Sequence, residues 1–273
     1  MAIRVKFDSA NRPLPARLIL ATKSGRKIRE LPINNVKFHE TLTDGSEFSF
    51  NVYKNRCVGP DGQIDEAFWK RIVDFRLAYC PEYDQWYELD LDISESTEII
   101  KAVQATSLGK AELSQINIYG MEVNTEADIE RADYAPTVLY DPDDASKSLI
   151  DRLLNKAPHY RIKHVDDSIA HIQRTFQFDS RSIDDCFIEI AGEINCLFIE
   201  EATDDGDGGI DRAVSAYDLE SSCMVCGYRG DFMAVCPRCG ATAVHLDTET
   251  THPFSSQERI LRAKSPTRRT RTR

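Results

Sequence analysis

Between residues 17 and 54 apolar and polar positions alternate in short runs: Arg17-Leu-Ile-Leu-Ala-Thr, Lys27-Ile-Arg-Glu-Leu, Asn35-Val-Lys-Phe-His-Glu and Glu47-Phe-Ser-Phe-Asn-Val-Tyr. A period of two is that of a strand with one buried face. Turn signals separate the runs, at Ser24-Gly25, at Pro32 with Asn34-Asn35, and at Asp44-Gly45, so antiparallel hairpins are expected. The pattern predicts the opening of a β-barrel or sandwich. A short helix over 66–73 interrupts it, and strands over 74–79 and 86–93 continue it, with Pro81 to Asp84 as their turn. Phe75, Tyr79, Tyr83, Trp86 and Tyr87 cluster on that hairpin and are read as core or cross-strand packing.

The period then changes. After a strand over 98–107 the stretch 108–118 fits helix and strand alike, and the proline- and aspartate-rich stretch 136–144 is a break. Leu149, Ile150, Leu153 and Leu154 fall on one face of a helix that stops before Pro158. A strand over 174–178 follows, then a helix over 182–193 with Ile183, Phe187, Ile190 and Ala191 inward and Asp179 or Ser180 as its cap. Strands over 195–200 and 212–218 close the unit. Between them Thr203-Asp-Asp-Gly-Asp-Gly-Gly lacks the glutamate that would close a calcium loop and is read as a solvated hairpin connection.

Composition bounds what such a chain can be. With 273 residues, 41% hydrophobic and 29% charged, it can bury two ordinary cores. No apolar run nears the roughly 18 residues of a membrane span, and the first segment, broken by Asp8, Asn11 and two prolines, does not read as a secretory signal. The net charge of −11 is uneven: residues 258–273 hold seven Lys or Arg and the single acid Glu258, and removing that +6 leaves −17 for the rest. An acidic body repels nucleic acid, so DNA binding would rest on the tail alone.

One motif carries chemistry. Cys223, Cys226, Cys236 and Cys239 form two Cys-x-x-Cys knuckles with nine residues between them, each followed by a glycine, Gly227 and Gly240. Four thiolates make the closed tetrahedral shell of a structural zinc site, with no open position for a substrate water. A segment this short cannot bury enough apolar surface to fold alone, and metal binding supplies the missing free energy. Iron in the same ligand set and a pair of disulfides remain open alternatives. Cys57, Cys80, Cys186 and Cys196 are scattered singly and read as small core residues. His164 and His171 match no zinc pattern, and carboxylate pairs such as Asp184-Asp185 and Glu200-Glu201 read as solvated faces in an acidic chain. Neither a phosphate cradle nor a nucleophile elbow occurs, so no enzyme is expected.

Several separate segments resemble a known family. Arg17-Leu-Ile-Leu-Ala-Thr-Lys-Ser-Gly with Leu31-Pro-Ile-Asn-Asn-Val-Lys-Phe, the stretch from Ile72 to Leu89, Thr106-Ser-Leu-Gly-Lys-Ala-Glu-Leu-Ser-Gln and Lys156-Ala-Pro-His-Tyr are similar, in that order, to the phage minor structural protein, also called prophage endopeptidase tail or tail-associated lysin. The resemblance covers about residues 15 to 250. It implies a subunit of the distal tail tip in the virion, assembled in the host cytoplasm. The expected partners are a homotrimer and neighbouring tail proteins such as the distal tail protein and the tape measure. The implied fold class is α+β: a β-barrel-like hub domain over 1–105, a second α+β hub domain over 106–220, an inserted zinc ribbon over 221–245 and a basic tail over 246–273. The family's lytic domains lie after the matched part, so endopeptidase activity is not carried over. A peptidoglycan endopeptidase and a zinc-ribbon nucleic-acid-binding protein are the competing functions.

Overall fold

The computed structural model describes residues 16–40 and 45–219. The alternating runs become β1 (Ile19–Ala21), β2 (Lys27–Glu30), β3 (Ile33–Glu40) and β4 (Ser46–Tyr53). A 3-10 turn at Lys54–Arg56 and α1 (Glu66–Trp69) lead to β5 (Arg76–Cys80), β6 (Gln85–Asp92) and β7 (Ile100–Ser107). These strands form one antiparallel sheet of seven, in the order β2-β1-β5-β6-β7-β4-β3. Its two edges are consecutive in the chain, with only Leu31 and Pro32 between them. The sheet therefore has to curl until β2 and β3 approach each other, as the right-handed twist of strands permits. Pro32, which has no N–H to give a ladder, sits at that corner, while the Leu31 N–H donates to the Leu18 carbonyl at 2.8 Å.

Inside the curl lie Leu18 and Leu20, Phe48, Phe50 and Val52, Tyr87 and Leu89, and Val103 and Ala105. They are the alternate residues of their strands, as a one-faced core requires. Phe68, Trp69 and Ile72 from the β4–β5 connection join that core, and Lys101 Nζ donates to the carbonyls of Trp69, at 2.9 Å, and Ile72, at 2.5 Å, at the end of α1. At the chain's entry the buried Glu82 carboxylate accepts from Arg17 N–H and Nε, at 3.0 and 2.8 Å.

The ambiguous stretch after β7 resolves into α2 (Leu108–Leu113) followed by the short β8 (Asn117–Ile118). Then come β9 (Met121–Val123), α3 (Glu126–Ile129), α4 (Leu149–Leu154), β10 (Arg161–Val165), α5 (Asp167–Ala170), β11 (Phe176–Phe178), β12 (Arg181–Ser182), α6 (Ile183–Ile194), β13 (Cys196–Asp204) and β14 (Ile210–Asp218). A mixed sheet runs β10-β14-β13, with β10 parallel to β14. α4 and α6 cover one side of it, and the Phe187 and Phe198 rings stack at 4.5 Å. Asn124 organises the long connection, because both ends of its buried amide are used. Nδ2 donates to the carbonyls of Thr137 and Arg174, and Oδ1 accepts from Thr137 N–H and Tyr134 Oη.

Several expectations are corrected. β10 has no counterpart among the elements expected from the sequence, because its two apolar residues, Ile162 and Val165, are three positions apart and do not alternate, the ladder being irregular between Ile162 and His164. The cap of α6 is Ser182, not Asp179 or Ser180: its hydroxyl accepts from the Asp185 N–H while the Asp185 carboxylate reaches back to the Ser182 N–H. Asp185 is thus a capping residue, and Asp184 is buried. Phe75 is not core. It sits at φ +58° and is 55% exposed, whereas Trp86 and Tyr87 of the same cluster are buried.

Candidate functional site

The outer face of β5 and β6 meets the second half of the chain through a small apolar core of Ala21, Leu77, Trp86, Leu108 and Ala202, with Tyr79 and Ile210 packed against it. Ala21 points here because Leu20, its neighbour on β1, points inward; alternation gives a strand in the middle of a sheet two faces to fill.

Beside this core α2 lies against β13 at a distance only glycine permits. A Cβ on Gly109 would stand 2.8 Å from Glu200 Cβ and 3.0 Å from the Glu200 carbonyl oxygen. One turn further along α2, the Glu112 carboxylate accepts from Arg212 Nε and Nη2, both at 2.6 Å, and from the Tyr160 hydroxyl at 2.9 Å. His159 Nε2 is 3.6 Å from the same carboxylate. Two planar groups joined by parallel charge-assisted bonds fix orientation as well as distance. Burial, then the Glu112 charge, pushes the Tyr160 phenol far above its ordinary pKa, so it remains a donor. The hydrogen bond to Glu112 raises the Arg212 guanidinium in turn.

A third contact closes the far edge. The β1–β2 turn, with Gly25 at φ +84°, packs on Ile210 and the Gly208 carbonyl of the β13–β14 connection. Lys27 pairs with Asp204 and lies 3.8 Å from the centre of the Tyr79 ring. Asp84 Oδ1 accepts from Tyr79 Oη at 2.8 Å and from the Asp204 N–H at 3.3 Å. The acidic connection is thus a hairpin, as the sequence suggests, but its first aspartate is bound to the curled sheet. Asp205 Oδ1 accepts from the Asp207 and Gly209 N–H groups within the loop.

The sequence-predicted metal ligands, Cys223, Cys226, Cys236 and Cys239, lie outside the described residues, which end at residue 219. Among the described residues no group of three or more His, Cys, Asp or Glu side chains is placed to hold a metal ion, and no helix is long and apolar enough to cross a membrane. Cys57, Cys80, Cys186 and Cys196 are free and buried. His164 is bonded: its Nε2 is 2.6 Å from the buried Asp166, whose other oxygen accepts from the Asp218 N–H. That pair ties the end of β10 to the end of β14, shortly before the chain passes into the cysteine-bearing segment. His171 is exposed.

Gly109, Glu112 and Arg212 are the joint residues that the sequence reading missed, while Gly25 is legible there as a turn without its contact. Only the resemblance touches Gly109 and Glu112, which fall inside a matched segment; nothing in the sequence marks Arg212.

No family model matches the chain, and no curated protein matches it. Among solved structures it is similar to the prophage MuSo2 43 kDa tail protein from Shewanella oneidensis, with 14% identity and a TM-score of 0.43 over 76% of this chain and 55% of that one. The chain thus spans about half the length of that protein. At such identity and score the likeness fixes neither fold nor role.

Proposed function

We propose that this protein is a structural subunit of the distal tip of a phage or prophage tail, in which the curled sheet and the α+β unit act as one rigid body and the four-cysteine segment is a zinc-stabilised appendage. One observation carries the reading. The segments that resemble the phage minor structural protein family are scattered over more than a hundred residues of sequence, yet they meet at the joint. Ala21 comes from the first, Leu77 and Trp86 from the Ile72–Leu89 stretch, Leu108 from the next, and these pack together. Glu112 of that same segment holds Tyr160 of the last. Packing of these distant segments against one another is what a rigid particle component requires.

On this reading the chain assembles as a ring of three and touches neighbouring tail proteins, and its work is mechanical. Cys223, Cys226, Cys236 and Cys239 would hold one structural zinc ion, which contributes folding free energy to a segment too short to fold alone. The resemblance of the segments, not the similarity to the solved prophage tail protein, supports this role.

The test is genetic and compositional. Deleting the gene from the phage or prophage that encodes it is expected to leave particles without functional tails, with the protein found by antibody labelling at the tip of wild-type tails. Finding normal, infectious tails without it would refute the reading. Metal analysis of purified protein is expected to return about one zinc per chain, the stoichiometry of a single four-thiolate shell.

A further inference from the structure

Among the described residues, four exposed large apolar side chains lie at one end of the curled sheet, while Tyr119, Ile129 and Ile188 are exposed on the second unit. Ile93 is 82% exposed and Ile99 64%, both on the β6–β7 tip, while Val73 and Phe75 are exposed on the β4–β5 connection. Hydrogen bonds bring the two loops to the same end: Lys54 N–H donates to the Ile99 carbonyl at 2.9 Å, and the Leu91 N–H donates to Asp74 Oδ1 at 2.7 Å. Exposed apolar side chains collected and bordered by charge mark an interaction surface.

Charge divides that surface in two. The tip carries Glu95 and Glu98 with no cation between Ile93 and Ile99, and the connection carries Lys70 and Arg71 beside Val73, the intervening Asp74 carboxylate being taken up by the Leu91 N–H. All four charges are exposed, and none has an ion-pair partner among the described residues. Phe75 adds a second sign of use. A bulky side chain at φ +58° is uncommon, and strained backbone of this kind concentrates where function needs a side chain aimed. Here it aims a ring into solvent, with Lys23 Nζ 5.2 Å from its centre.

We propose that this end of the sheet is where the chain meets a second copy of itself, the acidic Ile93–Ile99 tip of one copy seating against Lys70, Arg71, Val73 and Phe75 of the next. A foreign partner would account for one patch; a copy accounts for both, because each patch is the complement of the other. Contact between unlike patches is head-to-tail, and it closes into a ring when the rotation allows. The apolar centre supplies affinity, and the charges set register and association rate. The proposal rests on the tail-tip reading for the ring and adds the surface that builds it.

Sedimentation equilibrium of the full zinc-loaded chain across the micromolar range tests it. Ile93→Glu is expected to weaken self-association by about tenfold or more, as loss of a central interface anchor does. Tyr119→Glu, an exposed residue on the other unit, is expected to change nothing. Glu98→Lys and Lys70→Glu should each weaken association, and the double charge exchange should restore it. A chain that is monomeric throughout overturns the proposal, as does association indifferent to Ile93→Glu or a double exchange that fails to restore. Tail incorporation is measured separately, so the surface can fail while the tail-tip reading stands.

Discussion

Arg212, on β14, donates two parallel hydrogen bonds to Glu112 on α2 across 100 positions of sequence, with Nε and Nη2 each 2.6 Å from a carboxylate oxygen. Both side chains are mostly buried, and the carboxylate also holds Tyr160. This small polar network sets how the helix that leaves the curled sheet lies on the second unit.

Removing one partner leaves the other charge poorly solvated. Glu112→Ala should destabilise the protein by about 2–4 kcal/mol, since breaking a buried pair costs more than the pair itself contributes. Arg212→Met in the same background should recover part of that loss. Urea unfolding of the single and double variants measures both terms, and equal stability of wild type and Glu112→Ala would show that the network holds nothing in place.

Two glycines in helices should respond in opposite directions. Gly109→Ala forces a methyl group to within 2.8 Å of Glu200 Cβ and close to its backbone, so a loss of about 1–3 kcal/mol is expected from overpacking. Gly192, within α6, faces open space: a methyl group added there would meet nothing within 4 Å among the described residues. Gly192→Ala should therefore stabilise by about 1 kcal/mol through helix propensity alone. Thermal unfolding of the pair distinguishes steric contact from helix propensity.

Thiol chemistry separates the two cysteine classes. Burial pushes the Cys80, Cys186 and Cys196 thiols up to about 12 and raises Cys57 as well. The reactive species is the thiolate, so these four should stay silent to a thiol reagent at pH 8 until the protein unfolds. Chelation should expose four further thiols at once, those of Cys223, Cys226, Cys236 and Cys239. Eight thiols reacting together in native, metal-loaded protein would contradict both assignments.

Acid should loosen the joint in a defined direction. The hydrogen bond from Lys27 is the main reason the Asp204 carboxyl lies below its ordinary value. A folded pKa below the unfolded one, about 4 for this side chain, means stability present above that value and lost as pH falls through the folded pKa. Lys27→Met removes the cause, so its urea midpoint should fall less steeply than the wild type's between neutral pH and about pH 3. Parallel pH profiles would show that the pair contributes nothing.

The strands of the curled sheet were legible to within a few residues, because alternation such as Phe48, Phe50, Val52 is a local consequence of one face being buried. The helices around Leu149–Leu154 and Ile183–Ile194 were legible for the same reason at a different period. The sequence also marked Cys223, Cys226, Cys236 and Cys239 as candidate metal ligands, which lie outside the described residues. No local pattern announces that β2 and β3 are the two edges of one sheet, that Phe75 leaves the core while Trp86 enters the joint, or that Gly109, Glu112 and Arg212 meet. Those relations join residues up to a hundred positions apart, and a contact between distant segments leaves no periodic trace in either one: an arginine on a strand reads the same whether water or a buried carboxylate receives it.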